Sequence, residues 1–119
     1  MGFVKTRVRV SNPSKPSQSA ELELLVDTGA TFTLIPSALL KGIGVEADAK
    51  FKLRVADGRF IERGGSTVYV EVEGKGYKVP VIFGEEDDAP VLGVTTLEIL
   101  GFEVDPITQK LKPTEYLLL

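Results

Sequence analysis

An all-β domain is what this sequence predicts, folded as a partly closed barrel of short strands with one or two short helices. Three observations lead there. Short apolar runs recur along the chain, at residues 4–10, 21–26, 51–55, 67–72 and 77–83, and most alternate apolar with polar side chains. Turn signals separate them, among them Asp57-Gly58, Gly64-Gly65 and Gly74-Lys75-Gly76. Helical spacing is confined to two brief segments, residues 37–41 and 94–100.

The elements follow in order. Residues 4–10 alternate Val with Lys5, Arg7 and Arg9, as a strand does when one face is buried and the other wet. Residues 11–19, with Pro13 and Pro16, read as a loop. Glu21 and Glu23 then face the cations across an antiparallel pair, which makes the basic stripe a solvated face rather than a polyanion site. The second strand runs straight into Asp27-Thr28-Gly29-Ala30, so a carboxylate is delivered at the end of a rigid element. Residues 31–35 are β-prone and end at Pro36; Ser37 is placed to cap a short helix reaching Leu40 or Lys41, with Gly42 as its stop. Gly42-Ile43-Gly44 follows a helix-like segment instead of a strand, so it lacks the context of a phosphate-cradling loop.

A hairpin over about residues 51–63 is the strongest local signal, with Ala56-Asp57-Gly58-Arg59 at its tip. Gly64-Gly65 permits a bend or bulge before the next strand, and Gly74-Lys75-Gly76 turns the chain into the one after. Glu85-Glu86-Asp87-Asp88 reads as a solvated loop, because consecutive side chains seldom converge on a cation. Val91-Leu92-Gly93 returns to buried strand. The helix behind it sets Val94, Leu97 and Leu100 on one face and stops at Gly101. Residues 102–104 and 110–111, around Asp105-Pro106, suggest a closing pair of strands, and residues 114–119 form an apolar end suited to cover by a partner subunit.

Composition narrows the chemistry. A chain of 119 residues fits one domain over residues 1–119. Its net charge of -3 gives no basic field for nucleic acid, and no apolar run is long enough to cross a bilayer. With no secretory leader at the N-terminus, a cytoplasmic location is expected. Met1-Gly2-Phe3-Val4-Lys5-Thr6 matches a loose myristoylation pattern, but Val4 onward already makes sense as a strand. Cys and His are both absent, which excludes a disulfide, a thiolate nucleophile, a Ser-His-Asp triad and a typical zinc site. Carboxylates, hydroxyls and lysines remain, and no cofactor or metal is expected.

Val26-Asp27-Thr28-Gly29-Ala30 resembles the active-site signature of the retropepsin-like aspartic proteases, which include retroviral proteases and cellular or prokaryotic relatives. The order of the rest is similar too. A flap hairpin sits at Asp57-Gly58, and an apolar-apolar-Gly element, Leu92-Gly93 after Val91, leads into a short helix. The resemblance covers residues 20–111. It departs at Thr31 and Val94, where retroviral members commonly carry an acid and an arginine that pair, so a cellular or prokaryotic single-domain type is the better match.

The resemblance implies a catalytic Asp27 supported by Thr28, Gly29 and Ala30, with Ala56, Asp57, Gly58 and Arg59 folding over a bound peptide and Leu92 and Gly93 as the second motif. Carboxylate-driven peptide hydrolysis needs two acids sharing a proton, and this chain supplies one such motif. A homodimer bringing two Asp27 side chains to one water is therefore required, acting on a peptide or unfolded protein at acid pH. A catalytically silent relative serving as a dimerisation or peptide-binding module is the alternative. Ordinary turn chemistry, with Asp27 bonding a nearby amide, explains Gly29 but not Leu92-Gly93 and the helix behind it.

Overall fold

One sheet of seven strands wraps until the first strand in its order meets the sixth. The computed structural model describes residues 4–118; residues 1–3, which open the myristoylation pattern, and Leu119 at the apolar end lie outside the described residues. In chain order the elements are β1 (Lys5–Asn12), β2 (Lys15–Asp27), β3 (Thr33–Pro36), α1 (Ser37–Gly42), β4 (Ala49–Arg54), β5 (Phe60–Val72) and β6 (Lys75–Gly84). Then come β7 (Val91–Gly93), α2 (Val94–Leu100), β8 (Phe102–Val104) and β9 (Leu111–Pro113). The sheet order is β1-β2-β7-β3-β6-β5-β4, and an additional β1–β5 pairing closes the first six into a ring with β4 hanging outside. β8 and β9 form a separate antiparallel pair. The protein is thus mainly strand with two short helices, and no helix among the described residues is long and apolar enough to cross a membrane.

Alternation explains which faces turn inward. Val8 and Val10 of β1, Val68 and Val70 of β5, and Val79 and Val81 of β6 are fully buried inside the ring, while Lys5, Arg7 and Arg9 are exposed. A buried Val contributes about 1.5–3 kcal/mol, so this interior stabilises the ring far more than the exposed Arg7–Glu21 pair at 3.2 Å. The β1–β2 register sets Arg7 opposite Glu23 and Arg9 opposite Glu21, as the charge pattern implied.

Several local expectations are corrected. Residues 11–19 are not a loop: β1 and β2 stay paired through Ser11↔Ser19 and Asn12↔Lys15, and only the tip at Pro13-Ser14 turns. Asn12 accounts for this, since its Oδ1 accepts the Ser14 N–H at 2.9 Å while its Nδ2 donates to the Ile43 carbonyl at 3.0 Å. Pro16 is tolerated because it falls in the register shift between Ser11↔Ser19 and Asn12↔Lys15, where residues 16–18 of β2 have no ladder partner on β1, and β7 pairs with β2 only at residues 25–27. Ser37 is not the cap of α1; Pro36 holds that position with no side-chain bond, and the chain leaves the helix at Gly44, whose φ is +79°, rather than at Gly42. Gly64-Gly65 makes no bulge, because β5 pairs continuously with both β4 and β6. There Gly65 makes room for the Phe51 ring. The next turn falls at Glu73-Gly74, with φ of 48° and 83°, closing a two-residue hairpin between Val72 and Lys75. On α2 the buried face comprises Thr96, Leu97 and Leu100, with Thr96 taking the place expected for Val94.

The acidic run is also more than a solvated loop. Arg63 on β5 forks onto Asp88, Nε to Oδ2 at 2.7 Å and Nη2 to Oδ1 at 3.0 Å, with side chains only 20% and 12% exposed. Asp88 Oδ2 also accepts the Glu85 N–H at 2.8 Å, so one carboxylate closes its own turn and ties it to β5. The Arg63 hydrogen bond holds the Asp88 carboxyl below its ordinary value, against the opposing effect of burial. A carboxyl depressed by folding adds stability above its unfolded pKa of about 3.9 and loses it as pH falls through the lower folded value. Asp88→Asn is therefore expected to lose about 1–2 kcal/mol at pH 7, between exposed and buried pairs. Denaturant melts should show the gap narrowing below about pH 4.

Candidate active site

Asp27 is the last residue of β2, and its partner across the parallel β2–β7 pairing is Gly93. The two stretches singled out in the sequence are thus one structural unit. The Asp27 side chain is exposed, with Oδ1 accepting the Gly29 N–H at 2.9 Å, and its carbonyl accepts the Ala30 N–H at 3.1 Å. A Cβ on Gly29 would stand 3.2 Å from that Oδ1, so glycine allows the carboxylate to lie back on the loop amide. This is also the bond that ordinary turn chemistry requires. Thr28 and Gly29 are exposed, Ala30 is half-buried, and Thr28 borders a largely apolar groove walled by Val94, Leu97, Phe102 and Tyr116.

The loop beyond Asp27 is held from behind by α2. Helix α2 starts at Gly93 with no side-chain cap, which leaves its first amides in need of acceptors. Val94 N–H donates to the Ala30 carbonyl at 2.8 Å and Thr95 N–H to the Thr31 carbonyl at 3.0 Å. Gly93 N–H donates to the Thr33 hydroxyl at 3.0 Å. That hydroxyl lies 2.6 Å from Thr96 Oγ1, and both threonines are fully buried. Gly93 itself has no room for a side chain, since a Cβ would overlap the Phe32 carbonyl group and come within 2.9 Å of Thr33 N. Leu92, fully buried, anchors the short strand in the core.

The hairpin of β4 and β5 pairs from Ala49↔Gly65 to Arg54↔Phe60, two residues longer at each end than expected. At its tip Val55 N–H donates to the Arg59 carbonyl and Gly58 N–H to the Val55 carbonyl, each at 2.9 Å, with Gly58 at φ +91°. Asp57 accepts from Arg59 N at 3.0 Å and from Arg59 Nε at 2.7 Å; the amide first and the guanidinium second hold its carboxyl below its ordinary value. Ala56, Asp57, Gly58 and Arg59 are all exposed, and these hydrogen bonds stay within the hairpin. The base of the hairpin does reach the Asp27 loop, through Phe51 and Phe32 with ring centroids 5.2 Å apart. On the opposite face, Lys52 and Arg54 lie over the Phe60 ring at 4.7 and 5.0 Å.

The structure brings Asp27, Thr28, Gly29, Ala30, Leu92 and Gly93 together and keeps residues 56–59 on a separate hairpin. Among the described residues, no group of three or more acids is placed to hold a metal. Phe32, Thr33 and Thr96 were missed. Their only trace in the sequence is Thr96 falling on the apolar side of a short helix and Thr33 alternating with Phe32 and Leu34.

A profile of the family described as "gag-polyprotein putative aspartyl protease" matches residues 18–99. The chain belongs to this family. The match runs from within β2 through nearly all of α2, so the Asp27 loop, the hairpin and Leu92-Gly93 all lie inside it, while β8 and β9 lie beyond. Comparison with curated proteins returned no match. The all-β ring with its two short helices is accordingly a retropepsin-like aspartyl protease domain. Where an acid–arginine pair was missing at Thr31 and Val94, the main chain supplies the links instead, through Thr95 N to Thr31 O and Val94 N to Ala30 O.

Gly93→Ala is expected to cost at least about 2 kcal/mol, because the added methyl meets backbone rather than a side chain that can swing away. Chemical denaturation against the parent protein measures it.

Proposed function

We propose that this member of the aspartyl protease family is an endopeptidase, active as a homodimer in which two Asp27 carboxylates share one water. The observation that carries the proposal is the exposed Asp27 in register with Gly93, on a loop fixed by three successive amides of β7 and α2. A catalytic group gains most from such support, because a misplacement of about 1 Å costs on the order of 100-fold in rate.

The chemistry follows from two carboxyls and one proton. The ionised Asp27 takes a proton from water while its oxygen attacks the peptide carbonyl carbon. The protonated Asp27 of the partner subunit gives its proton to the carbonyl oxygen. The resulting diol collapses when one of its hydroxyls returns a proton to the ionised carboxylate, the C–N bond breaks, and the other, protonated carboxyl gives its proton to the leaving amine nitrogen. In this scheme Thr28 links the two loops, Gly29 and Ala30 keep the wall low for an extended peptide, and Leu92 and Gly93 hold the loop from beneath. Residues Ala56 to Arg59 close over the substrate, adding backbone hydrogen bonds as a strand does. The half-buried Phe51, Leu53 and Ile61 line the hairpin face nearest Phe32, which suits apolar side chains on the peptide.

The homodimer also has a surface available. Tyr116, Leu117 and Leu118 are 62%, 83% and 99% exposed, beside the groove that reaches Thr28. Thr114 N–H donates to the Gly101 carbonyl and the Tyr116 hydroxyl to the Ile99 carbonyl, at 2.8 and 2.5 Å, so the segment leaves the body in a fixed direction. A chain without cysteine has no need of an oxidising compartment, in keeping with action in the cytoplasm.

Asp27→Asn is expected to abolish hydrolysis of an unfolded protein substrate while leaving the melting curve in place; undiminished cleavage sinks the mechanism. Activity should be confined to acid pH, since the shared proton is lost once both carboxyls ionise. Assays near the pI of about 5.0 will need dilute protein. Leu117→Glu with Leu118→Glu should halve the molar mass measured in solution. A strict monomer that binds peptide without cutting it would instead mark a peptide-binding module.

A further inference from the structure

We infer that Thr33 is a positioning residue for Asp27, acting through the Gly93 amide; this rests on the endopeptidase proposal for its functional meaning and on geometry for its physical one. β3 and β7 share a single residue pair, Leu34↔Val91, so the ladder ends before it reaches Gly93. The Gly93 N–H faces a buried interior and takes the Thr33 side chain as its acceptor, at 3.0 Å. A hydroxyl carries one donor and two acceptor sites, so Thr33 Oγ1 can accept from Gly93 and still bond Thr96 Oγ1 at 2.6 Å. The result is a polar chain running from β7 through β3 to the first turn of α2, buried at every member.

Its position gives it leverage over the carboxylate. Gly93 is the register partner of Asp27, and its neighbours Val94 and Thr95 grip the Ala30 and Thr31 carbonyls. Thr33 closes this set at the far end of the same loop. Its hydroxyl therefore adds a side-chain acceptor for Gly93 to the two main-chain bonds by which Val94 and Thr95 hold residues 30 and 31. Valine has the same shape as threonine and lacks the hydroxyl, so Thr33→Val leaves packing in place and the Gly93 amide without an acceptor. Serine keeps the hydroxyl and gives up a methyl.

The experiment compares the parent, Thr33→Val and Thr33→Ser by amide hydrogen exchange and by peptide cleavage kinetics at acid pH. In Thr33→Val the Gly93 amide should exchange at least about tenfold faster, while the Val68 and Val81 amides keep their protection. Its kcat should fall by about 10–100-fold with KM within about twofold, and Thr33→Ser should restore both readouts. Should Thr33→Val fail to fold, Thr96→Val removes the outer hydroxyl alone and is expected to shift both readouts in the same direction by a smaller factor. Unchanged Gly93 exchange overturns the inference, as does an unchanged kcat or a loss that Thr33→Ser fails to rescue. If the parent cleaves no peptide under any condition, the endopeptidase proposal falls by itself. The exchange arm then still decides whether Thr33 holds Gly93.

Discussion

The first turn of α2 begins without a side-chain cap, and its amides are satisfied by the loop that follows Asp27. Much else in the structure depends on that exchange. The amides that open a helix have no partner within it, and burying them unpaired costs about 1–3 kcal/mol each. The Asp27 loop, in turn, has carbonyls that no strand takes up, at Ala30 and Thr31. Each element is incomplete alone. Docking one on the other satisfies both, and it does so with main-chain atoms, so it constrains side chains only where space is short. Gly93 is such a place, pressed against the Phe32–Thr33 backbone.

This division explains what the sequence made legible. Asp27-Thr28-Gly29 and Leu92-Gly93 stood out because their geometry excludes most other residues: a carboxylate lying on an amide, and a glycine with backbone where its Cβ would be. The ring was legible from Val8, Val10, Val68, Val70, Val79 and Val81, whose alternation marks an inner face. Thr33 and Thr96 were not, because a threonine in a strand or helix is compatible with either face, and only their 63-residue separation closed in space reveals the pair. Asp88 was hidden for a different reason. Within four consecutive acids nothing local separates the one that meets Arg63 from its three solvated neighbours. The β1–β2 hairpin was hidden because Pro13 and Pro16 are ordinarily breakers, and here one sits in the turn and the other in a register shift of the ladder.

The hairpin of β4 and β5 is anchored unevenly. At its base Phe51 lies between Phe32 and Gly65, and Arg63 is fastened to Asp88, whereas at its tip the hydrogen bonds of residues 55–59 are internal. The fixed points of the hairpin therefore lie at Phe51 and Arg63, and residues 55–59 extend beyond them, held by bonds of their own.

The pairing of Asp27 with Gly93 also governs when the site comes into being. Because β2 and β7 are parallel, no short turn can join them, and everything from β3 to β6 lies between them in the chain. Such long-range pairing is slow to form, since the entropy of closing the loop is lost before the contacts return anything. A growing chain that has not yet extended past Thr96 has the Asp27 sequence without the clamp that positions it. The Asp27 loop therefore gains its clamp only once residues 93–95 are there to dock on it, some sixty-six residues of chain after the carboxylate itself.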